Sequence, residues 1–185
     1  FAGEILPVNP KGEVILGIPS VKSASELPAG IDLAVVIIPA KLVPGTMREL
    51  GARKVKSAIV ITGGFAESGE EGAKLQEEMS RAASTHGIRV IGPNCQGVNY
   101  PYHGLCASWP LITTRGRIAF ASQSGTVGAA FLDMAAAEHL GVSGFVSLGN
   151  RVDVDEAEII SYFNQDPHTR VIALYLESIG RGRAL

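Results

Sequence analysis

A chain of 185 residues with a formal net charge of −2 and 46% hydrophobic residues can bury the core of one large domain or two small ones. That balance excludes a disordered tail and gives no basic footprint for a nucleic-acid partner. The longest apolar run, Leu33 to Ala40, is far shorter than the ~18–20 residues a membrane span requires, so no membrane partner is expected. The only cysteines, Cys95 and Cys106, make no disulfide framework, and a cytoplasmic setting is the simpler expectation.

Strands and helices alternate from the start. Glu4–Val8 reads as a strand and Asp32–Ile38 as a second, apolar enough to be covered on both faces. Ser57–Ile61 and Ile88–Ile91 continue the series. Between them Val43, Met47 and Leu50 share one helical face, as do Leu75, Met79 and Ala82. Pro44 suits a first helical turn, and Glu70 and Glu71 lie where a helix dipole favours negative charge. This βαβ pattern predicts a doubly wound parallel α/β sheet.

From Val98 to Thr114 the pattern breaks into Pro, Tyr, Gly and Thr, which reads as a linker with a small hairpin. A second βαβ series follows, with strands at Arg117–Ala121, Gly144–Leu148 and Arg170–Leu176. Its helices are expected from about Thr126 to Leu140 and from about Val154 to Asn164, the latter with Ala157, Ile160 and Phe163 as a buried stripe. The predicted organisation is therefore two α/β units, residues 1–114 and 115–185.

Open α/β sheets bind ligands at the carboxyl ends of their strands. Four turns there stand out in the first unit: Asn9-Pro10-Lys11, Pro39-Ala40, Thr62-Gly63-Gly64-Phe65 and Gly92-Pro93-Asn94-Cys95-Gln96-Gly97. All are expected to gather at one sheet edge, with Lys11 offering a point charge for a phosphate and Gly63 and Gly64 permitting close approach. In the second unit the apolar strand ending at Ser122 runs into Ser124-Gly125-Thr126 and an Ala-rich helix. Unpaired amides and the helix dipole make that start a phosphoryl-binding turn, with hydroxyls from Ser124 and Thr126 added. The plainer alternative is that Ser124 is an N-cap. Asp153, Asp155 and Glu156 fit helix capping better than metal binding, so no metal site is expected.

Gly92-Pro93-Asn94-Cys95-Gln96-Gly97-Val98-Asn99, Ser122-Gln123-Ser124-Gly125-Thr126-Val127-Gly128 and Val146-Ser147-Leu148-Gly149-Asn150 with Asp153-Val154-Asp155-Glu156-Ala157 closely resemble the NDP-forming acyl-CoA synthetases, relatives of the succinyl-CoA synthetase α subunit. Asn9-Pro10-Lys11, Gly63-Gly64-Phe65-Ala66-Glu67 and Tyr175-Leu176-Glu177 fit the same pattern, and the likeness runs through the chain in order. The resemblance implies a Rossmann-like CoA-binding domain followed by a flavodoxin-like ligase domain. The family interconverts acyl-CoA, ADP and phosphate with acid, CoA and ATP, through an acyl phosphate and a phosphohistidine.

By the same resemblance, Lys11, Pro39, Ala40, Thr62, Gly63, Gly64, Asn94 and Cys95 contact coenzyme A. Ser124, Gly125 and Thr126 bind phosphate, and Glu177 orients or stabilises the histidine. The bland alternative for Glu177 is an i,i+4 pair with Arg181. ADP or ATP and Mg2+ are expected on a separate ATP-grasp domain or β subunit, with a small carboxylic acid as the other substrate and an oligomer as the working state. His86, His103, His139 and His168 do not match the family's histidine, which is expected beyond Leu185. A Rossmann first strand is likewise expected before Phe1, so neither predicted domain is complete and the segment alone is expected to be inactive. A second reading is the regulatory CoA-sensing region of a protein lysine acetyltransferase, distinguished by the residue at the histidine position. A third, an NAD-binding redox sensor, leaves the second α/β unit unexplained.

Overall fold

A computed structural model describes residues 1–109, 111–180 and 182 of the chain. A two-residue hairpin, β1 (Val14–Ile15) and β2 (Ile18–Pro19), comes first, turning at Leu16 and Gly17 with φ of 49° and 83°. Glu4–Val8 does not form the expected strand. Its one ladder contact is the parallel bridge between Val8 and Val21, because no strand lies alongside to take its remaining backbone groups.

The first sheet is parallel, in the order β3 (Leu33–Val36), β4 (Ser57–Val60), β5 (Arg89–Ile91). Helices α1 (Val43–Ala52) and α2 (Glu70–Thr85) cover one face. Val43, Met47 and Leu50 of α1 and Met79 and Ala82 of α2 point into a core shared with Val36, Ala58, Val60 and Val90. Pro44 sits in the first turn of α1, and Glu70 and Glu71 in that of α2. The expectation that Asp32–Ile38 is covered on both faces fails: β3 is an edge strand and Val35 is 43% exposed.

The second sheet is mixed. Its order is β10 (Val171–Tyr175), β8 (Arg115–Ser122), β9 (Val142–Ser147), β6 (Gly97–Tyr100), β7 (Leu105–Ser108). The three strands of the second βαβ series are parallel, and the β6–β7 hairpin joins them antiparallel through Val98–Val146 and Asn99–Phe145. Helix α3 (Gly125–Ala137) buries Leu132 and Ala135 with Phe120, Val142 and Phe145. Helix α4 (Glu156–Gln165) buries Ile159 and Phe163 in a separate cluster with Ala119, Ala121, Val146 and Leu148. The stripe of α4 is thus Glu156, Ile159 and Phe163, while Ala157 and Ile160 are only partly buried. A carboxylate inside the stripe masked its phase in the sequence.

With α3 and α4 in different apolar clusters, the chain leaves β8 over one face and reaches β10 over the other. The carboxyl ends of β8 and β10 are therefore the topological switch point of the second sheet, the position where such sheets open a binding crevice. No described helix is long and apolar enough to cross a membrane.

Phe163 is 2% exposed, and its ring lies against Gly144, where a Cβ would come within 2.7 Å of it. Phe163→Ala should therefore cost ~3–5 kcal/mol in urea unfolding. Leu16→Ala, at a side chain 98% exposed, should stay within ~0.5 kcal/mol in the same assay.

Candidate functional site

Three turns of the first sheet are knitted together at its carboxyl edge. Thr62 Oγ1 donates to the Ile38 carbonyl at 2.7 Å and accepts from the Ile38 amide at 3.2 Å, so the turn leading to Pro39 and Ala40 is tied to the β4 turn. The Asn94 amide donates to the Thr62 carbonyl at 2.9 Å, which adds the β5 turn. Gly64 has φ of 97° and presents its backbone beside Ala40, whose Cβ would lie 3.3 Å from a Cβ placed there. Pro39, Gly63, Gly64 and Asn94 are exposed along this edge. Cys95 faces inward, with its thiol donating to the Val60 carbonyl at 3.3 Å, and burial pushes it up to about 11. That is a structural thiol, protonated near neutral pH.

Lys11 is not drawn into this cluster. Its amide donates to Asn9 Oδ1 and its exposed ammonium lies 3.8 Å from Glu13, on a segment anchored to Val21. The sequence places all four turns on one edge; the structure joins three of them by direct contacts.

On the second sheet, β8 ends at Ser122 and α3 begins three residues later, at Gly125. Ser124 is the N-cap, its hydroxyl oxygen accepting from the Val127 amide at 3.3 Å. The Gly128 amide is paired with the Ser124 carbonyl. This leaves the amides of Gly125 and Thr126 with no protein acceptor among the described residues, on a partly exposed helix start. The capping and anion-binding readings are therefore compatible: the cap satisfies the third amide of the helix and leaves the first two free. Gly125 also lies against Gln96, whose Cγ would be 3.0 Å from a Cβ at that position. The residue after Cys95 is thus packed directly on the start of α3, and its own amide donates to Ser147 Oγ at 2.9 Å.

Glu177 lies two residues past β10, at the other strand of the switch point, and its side chain is exposed. The chain there is not helical. Arg181, the alternative partner, lies outside the described residues. Gln123 reaches this turn from β8: its Oε1 accepts from the Glu177 and Ser178 amides at 2.8 and 3.1 Å, and its Nε2 donates to the Ser178 carbonyl at 2.7 Å. Gln123 has no role in the reading of the sequence, although a polar residue closing an apolar strand is a usable signal.

The acidic trio near α4 has three separate duties. Asp155 is the N-cap, accepting from the Glu158 amide at 3.1 Å. Asp153 is not a cap. It bonds Arg89 and the Val90 amide across the junction of the sheets, and Arg89 also reaches Glu158. Glu156 is 1% exposed and accepts from Arg151 at 2.6 Å and from the Gly180 amide at 2.8 Å. No group of three potential metal ligands exists among the described residues. Along the same junction Asn150 donates to Glu67 at 2.5 Å and to Gln76 at 2.8 Å. Burial pushes the Glu67 carboxyl up, but Asn150 and the Phe65 and Gly64 amides together hold it below its ordinary value.

The four described histidines lie elsewhere. His86 packs on Gly51, His168 stacks on Tyr102 at 3.7 Å, His103 stacks on Tyr100 and His139 follows the end of α3.

Comparisons with known proteins match two stretches of the chain. Residues 2–101 match the family described as CoA binding domain, and residues 115–185 match the succinyl-CoA ligase like flavodoxin domain. The subunit alpha of ADP-forming acetate–CoA ligase II from Pyrococcus furiosus is 39% identical over 98% of this chain and 40% of its own length. The ADP-forming acetate–CoA ligase I of Archaeoglobus fulgidus is 40% identical over 99% of this chain and 27% of its own. Among solved structures, the dinucleotide forming acetyl-coenzyme A synthetase 1 of Ca. Korarchaeum cryptofilum, in complex with phosphate and ADP, superposes with a TM-score of 0.94 at 39% identity. It covers all of this chain, which spans 40% of that protein.

Burial raises the Glu156 carboxyl, but the Gly180 amide and Arg151 outweigh it and hold the group below its ordinary value of 4.5. A depressed folded-state value means the stabilisation is present above pH 4.5 and is lost as pH falls through the lower value. Glu156→Gln should therefore cost ~1–3 kcal/mol at about pH 7, and the gap from the parent should close toward about pH 3, read by urea unfolding at both.

Proposed function

The chain belongs to the NDP-forming acyl-CoA synthetases, and from that premise we propose that it carries the CoA and phosphate sites of an ADP-forming acid–thiol ligase. Acyl-CoA and phosphate give acyl phosphate and CoA; the phosphoryl group passes to a histidine, releasing the acid, and then to ADP. The turns at Pro39–Ala40, Thr62–Gly64 and Asn94–Cys95 hold coenzyme A, with Lys11 as a phosphate partner from the neighbouring segment. The residues fit that group: the edge is exposed and glycine-lined, and the small Ala40 side chain is what lies beside Gly64. Ser124, Gly125 and Thr126 hold the phosphoryl group, and Glu177 steadies the imidazole that receives it.

The observation that carries this reading is the contact of Gln96 with Gly125. It puts the end of the cofactor turn beside the two free amides of α3, where a thioester carbon could meet a bound phosphate. Fixed amides bind an anion without reorganisation, and each hydrogen bond to a charged phosphoryl contributes roughly 1.5–3 kcal/mol.

The accepting histidine comes from outside residues 1–185, since the four present lie away from this site. The nucleotide and Mg2+ belong to an ATP-grasp domain or partner subunit, consistent with relatives named as subunits alpha. The other substrate is a small carboxylic acid, the working protein is an oligomer and its setting is cytoplasmic.

The test uses the full-length protein with its ATP-grasp part. Acetyl-CoA, ADP and phosphate should give ATP, and Thr126→Val should raise the KM for phosphate about tenfold, the loss of one such hydrogen bond, with CoA affinity unchanged by calorimetry. Lys11→Ala should weaken CoA binding by a factor of about two to five, the scale of an exposed charge contact. An unchanged phosphate KM in the first variant, or unchanged CoA affinity in the second, removes that residue from the site.

Glu177→Gln should slow histidine phosphorylation in a single turnover by about a hundredfold, as for loss of a charged hydrogen-bond partner of an ion, and leave CoA affinity alone. Phosphoenzyme formed at the parent rate would take Glu177 out of the reaction.

A further inference from the structure

The turn that carries Glu177 is gripped from two sides by polar side chains, one buried and one partly buried. On one side is Gln123, 8% exposed, which uses both ends of its amide on Glu177 and Ser178 and pairs its own backbone amide with the Tyr175 carbonyl at 3.0 Å. On the other side, Arg151 donates to the Ser178 carbonyl at 3.1 Å and to Ser178 Oγ at 2.8 Å. The same guanidinium pairs with Glu156, whose second oxygen takes the Gly180 amide. Among the described residues, none of the hydrogen bonds holding 177–180 comes from the Glu177 carboxylate, which is on an exposed residue.

A strand end needs no such apparatus. Water would satisfy these amides at an exposed turn, and a buried ion pair is rarely more stabilising than an apolar pair of similar volume. What a fully satisfied polar network supplies is one conformation held against alternatives. Gln123 is covalently next to Ser124, the N-cap of α3. The distance between the free amides of α3 and the Glu177 backbone is therefore set by a single side chain with its hydrogen bonds made, not by the length of two loops.

We infer that Gln123, backed by the Arg151–Glu156 pair, is a positioning residue that fixes Glu177 relative to the phosphoryl site of α3. This rests on the functional reading above, in which Glu177 steadies the phosphorylated imidazole. The pair and Gln123 act through the backbone of 177–180 and touch no reacting atom.

Two measurements on the full-length protein with its ATP-grasp part separate this role from mere stability. Amide hydrogen exchange across Glu177–Gly180 should quicken about tenfold or more in Gln123→Leu, the effect of losing protection from two bonded amides. In single-turnover histidine phosphorylation Gln123→Leu should lose about tenfold to a hundredfold in rate, the range of a misplaced catalytic group, with CoA affinity within about twofold of the parent. Gln123→Glu, which keeps an oxygen to accept both amides but sets a repelling carboxylate oxygen against the Ser178 carbonyl, should also be slower than the parent and supplies the comparison if the leucine variant folds poorly.

The deciding readout is the cycle with Glu177→Gln. If Gln123 acts through Glu177, the double variant is no slower than the slower single one; multiplied losses would mean an independent structural effect and would overturn the inference. Unchanged exchange at Glu177–Gly180 would overturn it as well. If Glu177→Gln alone leaves phosphorylation at the parent rate, the functional reading fails and takes the positioning role with it, while the exchange data still report whether the clamp exists.

Discussion

Two sheets of different construction are held edge to edge by a run of backbone hydrogen bonds. The amides of Asn150, Val152 and Val154 donate in turn to the carbonyls of Pro93, Gly92 and Val90, so the segment after β9 runs antiparallel along the end of β5. Asp153 locks that register from within, accepting from both Arg89 and the Val90 amide. Gly149 has no side chain for a steric reason, since a Cβ there would lie 2.1 Å from the Pro93 carbonyl oxygen. Sliding this seam by one residue would break three amide pairs and the Arg89 pair together. The turn after β5 is consequently held against the start of α3, where Gln96 packs on Gly125.

The seam also explains how a weak local motif becomes specific. A Ser-Gly-Thr helix start occurs wherever Ser caps a helix, and Ser124 does cap α3. What distinguishes this one is its neighbour: Gln96 rests on Gly125, and Gln96 is positioned by Ser147 at the end of β9. The helix start is packed on one flank and open on the other. The cap satisfies the Val127 amide and leaves those of Gly125 and Thr126 without a protein acceptor among the described residues.

Local pattern was enough to read the helices and the inner strands. The i,i+3,i+4 spacing of Val43, Met47 and Leu50 and the apolar run into Ser122 depend on near neighbours, and both are found as read. The β6–β7 hairpin was legible as a hairpin, but its place beside β9 was not, because pairing Val98 with Val146 is a contact across 48 residues that no local period encodes. Glu4–Val8 failed for the complementary reason: its composition suits a strand, but a strand needs a neighbour, and only Val21 serves. Within the site, residues whose chemistry is evident from type, such as Lys11, Cys95 and Glu177, were readable as candidates. Gln123, Asn150 and Glu156 were not, since each acts by bridging segments far apart in the chain. Charge alone suggested a solvated cap for Glu156, where the structure has a buried acceptor.

The two anion-binding devices in the proposed site differ in kind. Lys11 is an exposed charge beside Glu13, so its attraction for a phosphate is screened by water and salt until a ligand covers it. The free amides of Gly125 and Thr126 are fixed partial charges backed by the thirteen residues of α3 and need no rearrangement when charge arrives. The first suits a cofactor that must bind and leave; the second suits a group whose charge changes during reaction. Placing a carboxylate near such an anion site is costly unless a cation stands between them, because like charges at close range repel strongly. In the reading proposed here, the imidazole that takes the phosphoryl group is that intermediary. On that proposal, the hold of Gln123 and Arg151 on the 177–180 turn keeps the carboxylate at the range where it can pair with the imidazole without displacing the phosphate.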